Sequence, residues 1–140
     1  MKLYVDKKLN INENKLRHLS EFCAFCAQEL PIYGSFNIYV VTDRPKHGIK
    51  TTALYEVGNN TCRVYGKGRA LPDVMRSIAH EMTHMMQDQQ GLIKGHVQDA
   101  GGFHEDQANA RAGELLKRYA KSSDERKTIY ESMRSKKNIL

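Results

Sequence analysis

Five residues in the middle of the chain could do chemistry: His80-Glu81-Met82-Thr83-His84. Residues four apart on a helix lie on one face, one turn above the other. Two imidazoles so placed can bind one Zn²⁺, and Glu81, one residue on, can reach a water held in an open metal position. Zinc lowers the pKa of that water towards neutrality, and a carboxylate beside it can take the proton as the water attacks a carbonyl. A catalytic zinc takes three protein ligands and leaves the fourth position to water. His96, Asp99, His104, Glu105 and Asp106 follow the motif and could complete the set. Glu105 is preferred because Asn109 lies four residues on, on the same helical face, with the small Ala108, Ala112 and Gly113 letting a second helix approach closely. Asn109 could then hydrogen-bond a ligand. Glu105 and Asp106 also suit a helix N-terminus in their own right.

The elements that must position these residues can be read from the chain. Residues 2–6 alternate as a short strand. From Asn12 to about Leu30, the apolar Leu16, Leu19, Phe22, Cys23, Cys26 and Leu30 follow a helical period. Residues 35–42 and 51–57 are β-branched and aromatic and read as strands. Gly58-Asn59-Asn60 turns the second of these into a hairpin with 61–65, since Gly and Asn tolerate positive φ. The loop at 43–48 carries His47, a surface residue on this reading. Pro72 opens the motif helix, which runs to Gln89 or Gln90 with Gly91 as its C-terminal cap. Turning about 100° per residue places Val74, Ile78, Met82 and Met85 on one face and His80 with His84 on the other. Residues 91–102 are Gly-rich and irregular, Phe103 to Lys121 is helical, and Ser122-x-x-Glu125 is a capping box for a last helix reaching about Arg134. The end of the chain reads as frayed.

The totals bound the class. The chain has 140 residues and 40 % hydrophobic content, which suits a single domain, 1–140, with one modest core. Its three cysteines cannot all pair, and no second pair completes a thiolate site with Cys23 and Cys26. Both lie on an apolar helical stripe and read as buried thiols. No apolar run approaches the ~20 residues of a membrane span and no signal segment opens the chain, so a cytoplasmic protein without membrane contact is expected. The formal net charge of +6 permits contact with nucleic acid. The basic region that could provide it is Lys117, Arg118, Lys121, Arg126, Lys127, Arg134, Lys136 and Lys137, interrupted by Glu114, Asp124, Glu125 and Glu131.

With these residues in place, the chain resembles the gluzincins, the thermolysin-like zinc metallopeptidases whose third ligand is a Glu on a helix after His-Glu-x-x-His. Arg63-Val64-Tyr65-Gly66-Lys67-Gly68 looks like the strand before the active-site helix. Glu105-Asp106-Gln107-Ala108-Asn109 is similar to the Glu-x-Glu-Ala-Asn signature of the ImmA/IrrE-type peptidases, with Gln107 replacing the second Glu. The resemblance covers residues 35–119. It implies an α+β, minimal zincin fold: a small, mostly antiparallel sheet packed on an N-terminal helix and the motif helix, followed by the Glu-bearing helix and a C-terminal helix. It implies one Zn²⁺ per chain on His80, His84 and Glu105, with Glu81 as general base in the hydrolysis of a peptide or protein substrate. It further implies that residues 52–56, with Ala53, Leu54 and Tyr55 at their centre, form an edge strand that pairs with substrate. The large second subdomain of thermolysin is missing, and no residue matches its oxyanion stabilisers; His96 and His104 are candidates by proximity in sequence. The alternative is a zinc-binding regulatory or nucleic-acid-binding module on the same fold with little or no proteolytic activity.

Overall fold

The computed structural model describes residues 1–93, 102–131 and 139–140. It is an α+β structure with strands β1 (Lys2–Val5), β2 (Asn37–Val41), β3 (Ala53–Glu56) and β4 (Thr61–Tyr65). The helices are α1 (Glu13–Glu29), α2 (Leu71–Gln89), α3 (Phe103–Lys121) and α4 (Asp124–Glu131). The four strands form one sheet in the order β1-β2-β4-β3.

The sheet is mixed rather than mostly antiparallel. β1 pairs with β2 and β2 with β4 in parallel, and only β3 runs antiparallel, against β4. The cause is connectivity. Parallel neighbours need a crossover, usually helical, and α1 supplies it between β1 and β2. The predicted hairpin forms the other edge. Its turn uses positive φ at Gly58 (86°) and Asn60 (47°), as the Gly-Asn-Asn segment requires.

Periodicity places the core. Leu19, Phe22, Cys23 and Cys26 of α1 are buried together with Ile38 and Val40 of β2, Cys62 and Val64 of β4, and Val74, Ile78, Met82 and Met85 of α2. Leu115, Leu116 and Tyr119 of α3 join the same cluster. Burial pushes the Cys23 thiol up to about 12, so Cys-x-x-Cys is a pair of inert core thiols. At Gly66, between β4 and α2, a Cβ would come within 2.8 Å of Val40 Cγ1. Only glycine lets the chain leave the sheet that close to β2.

Two local readings are corrected. The cap of α4 is Ser123, whose Oγ accepts from the Arg126 N–H at 3.2 Å. Ser122 instead donates its hydroxyl to the Tyr119 carbonyl at 2.5 Å, closing α3. The box residue Glu125 turns towards α1, where it accepts from Arg17 at 2.5 Å and meets the buried His18 at 3.2 Å. The end of the chain is not frayed at its last two residues. Leu140 is buried, and its backbone exchanges hydrogen bonds with Gly68 and Arg69 beside the start of α2, each at 2.9 Å. The reach of the last helix towards Arg134 falls outside the described residues. None of the described helices is long and apolar enough to cross a membrane.

Candidate active site

The motif lies on α2, between the hairpin and α3. The core face is as the periodicity predicts: Val74, Ile78, Met82 and Met85 are fully buried. The opposite face is covered rather than solvated. His84 is only 3 % exposed and Glu81 7 %, because α3 closes over them with the small Ala108 and Ala112 at the contact.

Ligand atoms of His80, His84 and Glu105 lie within 4.8 Å of one another. Glu105 Oε1 stands 3.4 Å from His80 Nε2 and closer still to His84 Nε2. Asp106, its neighbour in the first turn of α3, points outward and is exposed. Of the other candidates, His96 and Asp99 lie outside the described residues. His104 is not among the residues that line the cleft: its ring packs edge-on against Phe103, and its Nδ1 is buried with no hydrogen-bond partner among the described residues.

A hydrogen-bond chain fixes the tautomer of His84. Gln87, fully buried, donates its amide NH₂ to the His104 carbonyl at 3.0 Å and to Gln107 Oε1 at 2.8 Å. A backbone carbonyl can only accept, so the orientation of this amide is settled. Its Oε1 therefore faces His84 Nδ1, at 2.8 Å, and Nδ1 must carry the proton. Nε2 is then the nitrogen that faces Glu105 Oε1, and with Nδ1 as the only protonated nitrogen it would present a lone pair there. Two lone-pair atoms aimed at each other need a positive charge on or between them, a proton or a metal ion. Two neutral imidazoles and a carboxylate are a fitting donor set for zinc. His80 is kept towards its neutral form by burial first and by His84 second, against the opposing effects of Glu105 and of a hydrogen bond that the ring donates to the Asn109 side chain. Gln87 went unnoticed in the sequence, and Gln107 stood out there only as a departure from the Glu-x-Glu-Ala-Asn signature. Gln87 follows His84 by three residues, the spacing at which helical side chains meet.

Glu81 stands beside this triad, with Oε1 4.0 Å from His80 Nε2. Its Oε2 is buried and unpartnered among the described residues. Burial, and then the charge of Glu105, push its carboxyl up to about 8.

The wall facing the triad across an open cleft is β3 with the residues before it. Tyr65 N–H donates to the Thr52 carbonyl at 2.8 Å, which makes this a hydrogen-bonded pair in the β3–β4 register. Such pairs alternate, so Leu54 and Glu56 bond β4 in turn, while the N–H and C=O groups of Ala53 and Tyr55 face the open edge. Leu54 thus offers the cleft no backbone group, and of the three candidates Ala53 and Tyr55 are the ones that can pair with an added strand. The Tyr55 hydroxyl donates to Asp88 Oδ2 at 2.5 Å, and Gly58 N–H donates to the same oxygen at 2.8 Å. The last turn of α2 thereby holds the hairpin.

The basic C-terminal region is partly neutralised. Arg118 pairs with Glu29 at 3.0 Å, Arg126 with Glu21 at 3.7 Å and Lys127 with Glu131 at 3.8 Å. Arg134, Lys136 and Lys137 lie outside the described residues. His47 meets Arg63 Nη1 at 3.0 Å, remote from the triad. Comparison with family models, with curated protein sequences and with solved structures returned no match.

Proposed function

We propose that the protein is a zinc-dependent peptidase of minimal gluzincin type, with a zincin-like arrangement of α2, α3 and the β3 edge. The observation that carries the reading is the convergence of His80, His84 and Glu105, with the buried, unpartnered carboxyl of Glu81 beside them. His80 Nε2, His84 Nε2 and a Glu105 oxygen would hold one Zn²⁺. When bound, zinc would polarise the scissile carbonyl and acidify the attacking water. Glu81 takes the proton of the attacking water and returns it to the leaving amine. Gln87 holds the His84 ring in the tautomer that leaves Nε2 free, and Asn109 steadies His80. The substrate is an extended peptide laid along β3, paired with the outward groups of Ala53 and Tyr55.

The test is metal content together with cleavage of an unfolded protein substrate by wild type and Glu81→Gln. We expect one zinc per chain in both, with turnover reduced by orders of magnitude in the variant. Equal turnover would remove Glu81 from the mechanism. Zinc-loaded wild type that cleaves nothing would favour a binding or regulatory module on the same site.

A further inference from the structure

The cleft carries an arginine without a hydrogen-bond or ion-pair partner among the described residues. Arg17, Arg63, Arg69, Arg111, Arg118 and Arg126 each have a hydrogen-bond or ion-pair partner, and Arg44 lies over the Tyr65 ring. Arg76 alone among the described arginines has neither, although it lines the cleft. It precedes His80 by one turn of α2, on the same stripe as the two histidines. Its guanidinium reaches across to α3, where Nη1 would lie 3.7 Å from a Cβ at Gly113. The missing side chain there keeps the space over Gly113 open. Lys50, on the opposite wall, is a second exposed cation without a partner among the described residues. The acidic side chain of that wall, Glu56, is already taken by Arg63 at 2.9 Å. Arg76 and Lys50 thus line the cleft without an ion-pair partner among the described residues.

A guanidinium presents a fork of donors that matches a carboxylate. We infer that Arg76 is a specificity-determining residue that binds a carboxylate of the peptide substrate. The inference rests on the peptidase reading of the same cleft. Four residues of helix advance about 6 Å, roughly two residues of an extended peptide. The carboxylate is thus carried within about two residues of the scissile bond. It belongs either to an Asp or Glu side chain or to the peptide's own C-terminus.

The experiment measures binding apart from turnover. Acetylated hexapeptides with a single Glu or Gln at successive positions, each made as the free acid and as the C-terminal amide, are titrated against zinc-loaded Glu81→Gln. The same titration is run on Glu81→Gln combined with Arg76→Gln or Arg76→Lys. At one position, or at the C-terminus, the carboxylate form should bind about tenfold more tightly than its amide counterpart. The ratio should fall to about one with Arg76→Gln and be partly kept with Arg76→Lys, at unchanged zinc content. A preference tied to Glu names a side-chain carboxylate; one tied to the free acid names the peptide terminus. A ratio near one in the parent, a preference that survives Arg76→Gln, or no binding of any acidic peptide would overturn the inference. Wild-type cleavage of the same set separates the two readings. Cleavage without carboxylate preference removes only the role of Arg76; Arg76-dependent binding without cleavage removes only the peptidase.

Discussion

Glu81→Gln should stabilise the metal-free protein, and more so as the pH rises. Folding carries the Glu81 carboxyl from an ordinary 4.5 to about 8, mainly by burying it. A carboxyl raised in this way keeps its proton in the native chain after the unfolded chain has lost its own. The full native stability is present below pH 4.5 and is lost as the pH climbs through 8. At about 1.4 kcal/mol per pKa unit, the loss has a ceiling of about 5 kcal/mol. Water reaching the carboxyl from the open cleft screens part of this, so about 2–3 kcal/mol is expected. Glutamine has the same shape and never ionises, so the variant escapes the loss. For a chain of this length, about 3 °C of melting temperature accompanies each kcal/mol. Thermal melts in chelator should therefore place Glu81→Gln about 6–9 °C above wild type at pH 9 and within about 2 °C at pH 5. Adding zinc should narrow the gap at pH 9, because a dication beside the carboxyl favours its charged form. A gap that is absent at pH 9, or equally large at pH 5, would refute the burial argument for Glu81.

Three further substitutions probe the site. Ala53→Pro removes an N–H that faces the open edge, and it should lower kcat/KM about tenfold or more with melting temperature and zinc content near wild type. Leu54→Pro removes a ladder bond to β4 and should instead cost about 1–3 kcal/mol of stability; the reverse pattern in kinetics and melts would show the register to be wrong. Gln87→Ala frees the His84 ring to change tautomer and should weaken zinc binding about 10–100-fold in chelator competition. Unchanged affinity would mean that the Gln87 amide does not orient the ligand.

The elements of this fold were legible in the sequence because each is amphipathic on its own period. The motif helix, the Phe103–Lys121 helix and the hairpin came directly from apolar spacing and turn residues. The direction of the strands did not, although a strand–helix–strand order at residues 2–41 already carried the signal for a parallel pair. At the site, Glu105 could be preferred to Asp106 because Asn109 and the small residues shared its face. Gln87 and Arg76 were missed for opposite reasons. Gln87 does its work through a neighbour on its own helix and a carbonyl on another. Arg76 stands out only by the absence of a partner, which no spacing rule records. The capping box failed by one residue because Ser122 and Ser123 are both competent caps, and the tertiary pull of Arg17 and His18 on Glu125 decided between them.

Of the nineteen residues of α2, thirteen are buried, one face serving the core and the other the cluster of His80, His84 and Glu105. A helix used on both sides has few positions where sequence can drift without cost. Val74 and Met82 are fully buried in the core, and on the other face His80 and His84 meet Glu105 of α3. On the peptidase reading, adaptation to a new substrate would fall to the rim, at exposed Arg76 and along the β3 wall. In a library of variants of this chain, the boundary between tolerated and lethal changes should run along α2 by single residues rather than by segments.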